Sequence, residues 1–107
     1  MRVAIFSDVH GNLTALEAVL DDIKQQSPDL TIFAGDLCVD GARPAACVAR
    51  LQQENISAIH GNTDQRLSNQ PILSEDAAAE TRQRRQQIED NDDWTWVQLD
   101  SSDRTWL

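Results

Sequence analysis

Apolar residues follow two rhythms along the first sixty positions. Three short unbroken runs, RVAIFS at 2–7, LTIFA at 30–34 and ISAIH at 56–60, have the length and strand-forming content of buried β-strands. Between them the spacing turns helical. Leu13, Leu16, Val19, Leu20 and Ile23 follow Asn12, a capping residue, and Pro28 with Asp29 closes that segment. Ala45, Val48 and Leu51 follow Pro44, which suits the first position of a helix ending near Asn55. Strand, helix, strand, helix, strand implies an α/β fold with a parallel sheet and right-handed crossovers. In such sheets ligands collect beyond the carboxyl ends of the strands.

The second half reads differently. Ser74 with Glu75 and Asp76 signals a helix start after the loop from Gly61 to Pro71. That helix is mostly polar, with Glu80 and Arg84 spaced to pair and Arg82 and Arg85 adding positive charge to a solvated face. Trp94, Trp96, Val97 and Leu99 then restore apolar character, as a continuation of the helix or a short connection. Asp100 or Ser101 can cap one more helix, with Asp103 in its first turn and Trp106 and Leu107 as its first apolar residues. No glycine stop or basic last turn follows, so the sequence reads as the front of a longer protein. In that reading residues 1–107 are one incomplete domain: a motif-bearing unit at 1–66 and a helical segment at 67–107. The tryptophans would then be covered by further structure or a partner chain.

Charge and cysteine usage narrow the function classes. The formal net charge is −9 over 107 residues, a poor match to nucleic-acid backbones but compatible with a phosphorylated substrate if a metal reverses the local field. No apolar run approaches the roughly 20 residues that span a bilayer, and no secretion signal opens the chain. Cys38 and Cys47 have neither zinc-knuckle nor redox-pair spacing and read as buried thiols of a cytoplasmic protein.

Polar residues follow each predicted strand. Asp8 and His10 come after the first, Asp36 behind Gly35 after the second, and His60, Gly61, Asn62, Thr63 and Asp64 after the third. A parallel sheet brings all three sets to one edge. Each alone is an ordinary cap, turn or surface residue; together they offer oxygen and nitrogen donors suited to Mn, Fe, Zn or Mg. One carboxylate can also bridge two cations about 3.5–4 Å apart.

Asp8-x-His10-Gly11-Asn12, Gly35-Asp36 and Gly61-Asn62-Thr63-Asp64, with the texts SDVHGNLTALEAVL and GDLCVDGARPAACVARL, resemble the calcineurin-like metallophosphoesterases, in particular the small bacterial and archaeal phosphodiesterase-type members. The resemblance is specific over residues 1–66. It implies the N-terminal part of a β-sandwich flanked by helices and hydrolysis of phosphoester bonds, with phosphodiesters favoured, by water activated at two divalent metal ions. Mn2+ is the first expectation, with Fe, Zn, Ni, Co or Mg also compatible. Asp8 and His10 would bind one metal, Asp36 would bridge both, and Asn62 would bind the second. Asn62, Thr63 and Asp64 would form the catalytic stretch. The family commonly has histidine where this chain has Thr63, and Asp64 would orient that histidine.

Two departures matter. Threonine donates a hydrogen bond but is no general acid near neutral pH, so Asp64 loses the partner it would orient, and a turn or capping role stands beside its catalytic one. The family's three later histidines also have no counterpart, because no histidine follows His60; His60 itself matches no family ligand and reads as structural or supporting. The expected partner is a phosphorylated small molecule or nucleotide, with no membrane and no strong nucleic-acid surface. Two other readings stay open: a non-catalytic fragment or degenerate metal- or phosphate-binding module, and, more weakly, a Rossmann-type nucleotide domain. The second needs a glycine-rich phosphate turn where this chain has a carboxylate.

Overall fold

Strand β1 (Val3–Phe6) pairs in parallel with β2 (Leu30–Phe33), and β2 pairs in parallel with β3 (Ser57–Ala58), giving the order β1-β2-β3. Helix α1 (Leu13–Gln26) connects the first two strands and α2 (Pro44–Gln53) the second two. Helices α3 (Asn62–Ser68), α4 (Ala79–Gln98) and α5 (Ser101–Trp106) follow. These elements come from a computed structural model that describes residues 1–54, 56–68 and 79–107. The α/β class and the order of elements agree with the sequence pattern.

Local chemistry explains the boundaries. The Asn12 side chain accepts the Ala15 N–H at 3.0 Å and caps α1. Ser27 ends that helix in the left-handed region at φ 48°, just before Pro28. Pro44 opens α2 as expected. Asp100 and Asp103 form a reciprocal capping box at the start of α5. The tryptophan-rich stretch continues α4 through Gln98 rather than breaking it. The predicted start at Ser74 lies outside the described residues, as do the side chains of Glu80, Arg82 and Arg85.

Register decides which side of the sheet is buried. Phe6 stands opposite Phe33, with ring centroids 5.1 Å apart, and this face packs with Leu16 and Leu20 of α1 and Val48 and Leu51 of α2. Full burial of a side chain the size of Phe33 contributes about 1.5–3 kcal/mol. Alternation turns Val3 and Ile5 the other way, and Ile5 is 68% exposed. Val19, expected in the core, also faces outward on α1, while Leu16 and Leu20 carry that helix's buried stripe. Across the two helices, Arg50 pairs with Glu17 of α1 and with Glu54. The helical segment adds Leu99 and Leu107 to the same core. On α4, Asp92 and Thr95 form a narrow buried stripe that Leu99 extends just past the helix end, while Trp94, Trp96 and Val97 are exposed. No helix among the described residues is long and apolar enough to cross a membrane.

Cys38 and Cys47 are free and buried, in agreement with the sequence reading. Burial pushes the Cys47 thiol up to about 11 and the Cys38 thiol further. Both should therefore resist iodoacetamide at pH 8 in the native chain and react on unfolding in urea. Fast labelling of the folded protein would contradict this packing.

Candidate metal centre

The site begins where β1 and β2 stop being strands but keep their pairing. Ala34 N–H donates to Phe6 O, Asp8 N–H to Gly35 O, His10 N–H to Asp36 O and Gly11 N–H to Leu37 O, at 2.7–3.0 Å. Two loops thus run side by side past the sheet edge. Gly35, at φ 100°, lets the second loop pass directly against Gly61 of a third loop, where a Cβ would overlap backbone. A Cβ on Gly61 would in turn strike the Asp36 carboxylate. The glycines are there because three backbones meet.

This places one ligand atom each from Asp8, His10 and Asp36 within 4.8 Å of one another. All three residues hold positive φ, at 61°, 50° and 64°. Left-handed backbone costs a non-glycine residue roughly 1–2 kcal/mol. Among the described residues five non-glycine positions have it, and three are these. Strain concentrated on converging polar side chains is a mark of a functional site, held by the surrounding hydrogen bonds.

Each side chain is aimed by a neighbour. His10 Nδ1 lies 2.8 Å from Val39 O. A carbonyl only accepts, so Nδ1 carries a proton and Nε2 is the nitrogen left for a ligand. Nε2 lies 3.4 Å from Asp8 Oδ1. In the neutral ring, its lone pair and that carboxylate oxygen face a common space, an arrangement a cation suits. Ser7 Oγ donates to Asp8 Oδ2 at 2.5 Å. That hydrogen bond holds the Asp8 carboxyl below its usual range, in its ionised, ligating form.

The third loop enters α3. Thr63 N–H and Oγ1 both donate to Asp36 Oδ1, at 3.0 and 2.6 Å. Asp64 accepts from Asp36 N and Gly61 N through Oδ2, at 2.7 and 2.9 Å, and from Leu37 N through Oδ1 at 3.0 Å. Thr63 grips the Asp36 side chain while Asp64 grips its backbone. Asn62 is exposed between Gly61 and Thr63, two residues that both touch the Asp36 carboxylate. One helical turn on, Arg66 forms a two-point ion pair with Asp92 of α4. His60 stands apart from the Asp8, His10 and Asp36 group and lines a hollow of about 210 Å³ with Phe33, Trp106 and Leu107.

A family model described as calcineurin-like phosphoesterase matches residues 1–106. The chain belongs to that family. The chain superimposes on the crystal structure of a metallophosphoesterase from Sphaerobacter thermophilus with a TM-score of 0.71 and 32% identity, covering 100% of this chain and 40% of that one. It is also 40% identical over 62 residues to an uncharacterized protein of Methanocaldococcus jannaschii, an overlap of 58% of this chain and 26% of that one. The chain therefore spans less than half the length of either relative. Its parallel sheet and helical C-terminal part correspond to a segment of the metallophosphoesterase fold.

The donor set of the site, two carboxylates and an imidazole nitrogen, fits the divalent metal ions the family implies. The convergence of Asp8, His10 and Asp36 follows the sequence expectation. Ser7 and the Val39 carbonyl, which aim these groups, had no signal in the sequence. A main-chain acceptor leaves no residue-type trace, and a serine before an aspartate is commonplace.

Proposed function

We propose that the protein is a metal-dependent phosphoesterase, with phosphodiesters the favoured esters and a phosphorylated small molecule or nucleotide as substrate. The observation that carries the reading is the convergence of Asp8, His10 and Asp36 on strained, hydrogen-bonded loops in a chain of this family. Asp8 and His10 would hold one cation through a carboxylate oxygen and Nε2. Asp36 would be shared between two cations, and Asn62 would hold the second through its side-chain oxygen. Manganese is the first candidate. Bound divalent cations supply a water of lowered pKa and neutralise phosphate charge.

The residues of this chain set the rest. Ser7 keeps Asp8 ionised, Val39 keeps the His10 lone pair on Nε2, and Asp64 keeps the Asp36 turn in place. The Thr63 hydroxyl points at Asp36 and the residue is 6% exposed, so it offers no proton to a leaving group. Protonation of the departing alcohol must then come from water or another residue, which favours esters with acidic leaving groups. Titration with Mn2+ and assay of bis-nitrophenyl phosphate against a dialkyl diester tests this: hydrolysis of the aryl ester and little of the alkyl one is expected. Equal rates on both would count against water as the acid.

A second reading is favoured by one observation, the 40% and 26% shares of the relatives' lengths. In it the chain binds metal or phosphate without turnover. Cation binding by calorimetry with no hydrolysis of either diester supports that reading, whereas robust turnover by the chain itself overturns it.

A further inference from the structure

Resting on the metal reading above, we propose that Thr63 is a positioning residue for the bridging carboxylate, reserving one oxygen of Asp36 for cations. An ionised carboxylate oxygen offers about two acceptor sites in its plane. Asp36 Oδ1 receives two donors, the Thr63 amide at 3.0 Å and the Thr63 hydroxyl at 2.6 Å. Both of its sites are thereby filled. Among the described residues no hydrogen bond reaches Oδ2. The two remaining acceptor sites of the carboxylate sit on that one atom, which would be the oxygen left to hold cations.

Burial makes the restraint effective. At 6% exposure, water does not compete for the Thr63 hydroxyl, and the amide contact to the same oxygen stops the carboxylate from turning. The threonine that stands where the family commonly has histidine thus keeps a role at the site, directed at the metal ligand rather than at the substrate.

The test compares wild type with Thr63→Ser, Thr63→Val and Thr63→Cys for Mn2+ affinity by calorimetry and for the Mn2+ electron paramagnetic resonance spectrum. Metal-free melting curves are recorded alongside. Serine keeps the donor and should bind within about 2-fold of wild type with an unchanged spectrum. Valine removes the donor at nearly constant shape and should weaken binding about 10–100-fold, the range for partners that orient a metal ligand, with an altered spectrum. If the valine variant does not fold, the cysteine variant, whose thiol is a weak donor, should still show weakened binding. A folded Thr63→Val or Thr63→Cys chain with wild-type affinity and spectrum overturns the positioning role, even if its melting temperature falls. Failure of the metal reading is distinguishable: wild type and Asp36→Asn would then bind Mn2+ equally poorly, which overturns both.

Discussion

Exchanging Asp36 for asparagine is expected to lower Mn2+ affinity more than 100-fold while leaving the chain folded. The two donors of Thr63 converge on Oδ1, so the new amide will turn its carbonyl oxygen toward them. The other position then carries an NH2 group, which donates hydrogen bonds and cannot ligate a cation. Asparagine also tolerates the left-handed backbone at φ 64°. Asp36→Ala should lose the metal too, but at a further cost. It strands the Thr63 amide and hydroxyl, for about 1–3 kcal/mol of stability. Calorimetric Mn2+ titration with a thermal melt in chelator separates the two effects. An asparagine variant that binds Mn2+ like wild type would remove Asp36 from the site.

The contrast between these variants shows how the site is financed by the fold. Asp8, His10 and Asp36 bring positive φ and two nearby carboxylates into one corner, a cost that hydrogen bonds from Ser7 and Thr63 to those carboxylates partly offset. Hydrogen bonds between adjoining loops hold them there. Asp8→Asn keeps an acceptor for Ser7 and suits its backbone but loses the charge that Ser7 favours, so it should melt slightly below wild type in chelator at neutral pH and should bind Mn2+ more weakly. A melting temperature above that of wild type would mean that repulsion from Asp36 outweighs the Ser7 hydrogen bond.

Much of this was readable in the residues because two patterns coincide. The three apolar runs have strand length, Asn12 and Pro44 mark helix starts, and the strand ends carry Asp8, His10 and Asp36. A parallel sheet then sends those ends to one edge, so the convergence followed from topology alone. What lay beyond the sequence was the direction of each side chain. Thr63 was expected at the catalytic stretch, yet only coordinates reveal that its hydroxyl faces Asp36 at 2.6 Å. Val19 fitted the helical period but sits at the edge of the stripe, where period alone cannot rank burial. The third strand, ISAIH, narrows to Ser57–Ala58 because composition marks strand formers and not how many of them find a partner on β2.

Asp64 carries the largest expected effect on stability. It is 2% exposed, and its two oxygens accept the amides of Asp36, Leu37 and Gly61. Those amides belong to two loops with no strand pairing at that point, so one carboxylate substitutes for a missing stretch of sheet. Asp64→Ala leaves three amides short of this acceptor. Each lost bond to a charged group is worth about 1.5–3 kcal/mol, and relaxation makes the sum less than additive. A loss of about 3–5 kcal/mol is expected, a large share of the 5–15 kcal/mol that holds a typical domain together. Asp64→Asn should fall between alanine and wild type. Its one carbonyl oxygen can serve Leu37 or the Asp36 and Gly61 pair, while its NH2 group confronts the remaining donors. Since the Asp36 backbone is anchored here, metal affinity should fall in parallel with stability across this series, unlike in Asp36→Asn, where affinity falls alone. Urea melts in chelator, paired with Mn2+ titrations, read both quantities. An Asp64→Ala chain less than 1 kcal/mol below wild type would show that the loops are held by other contacts.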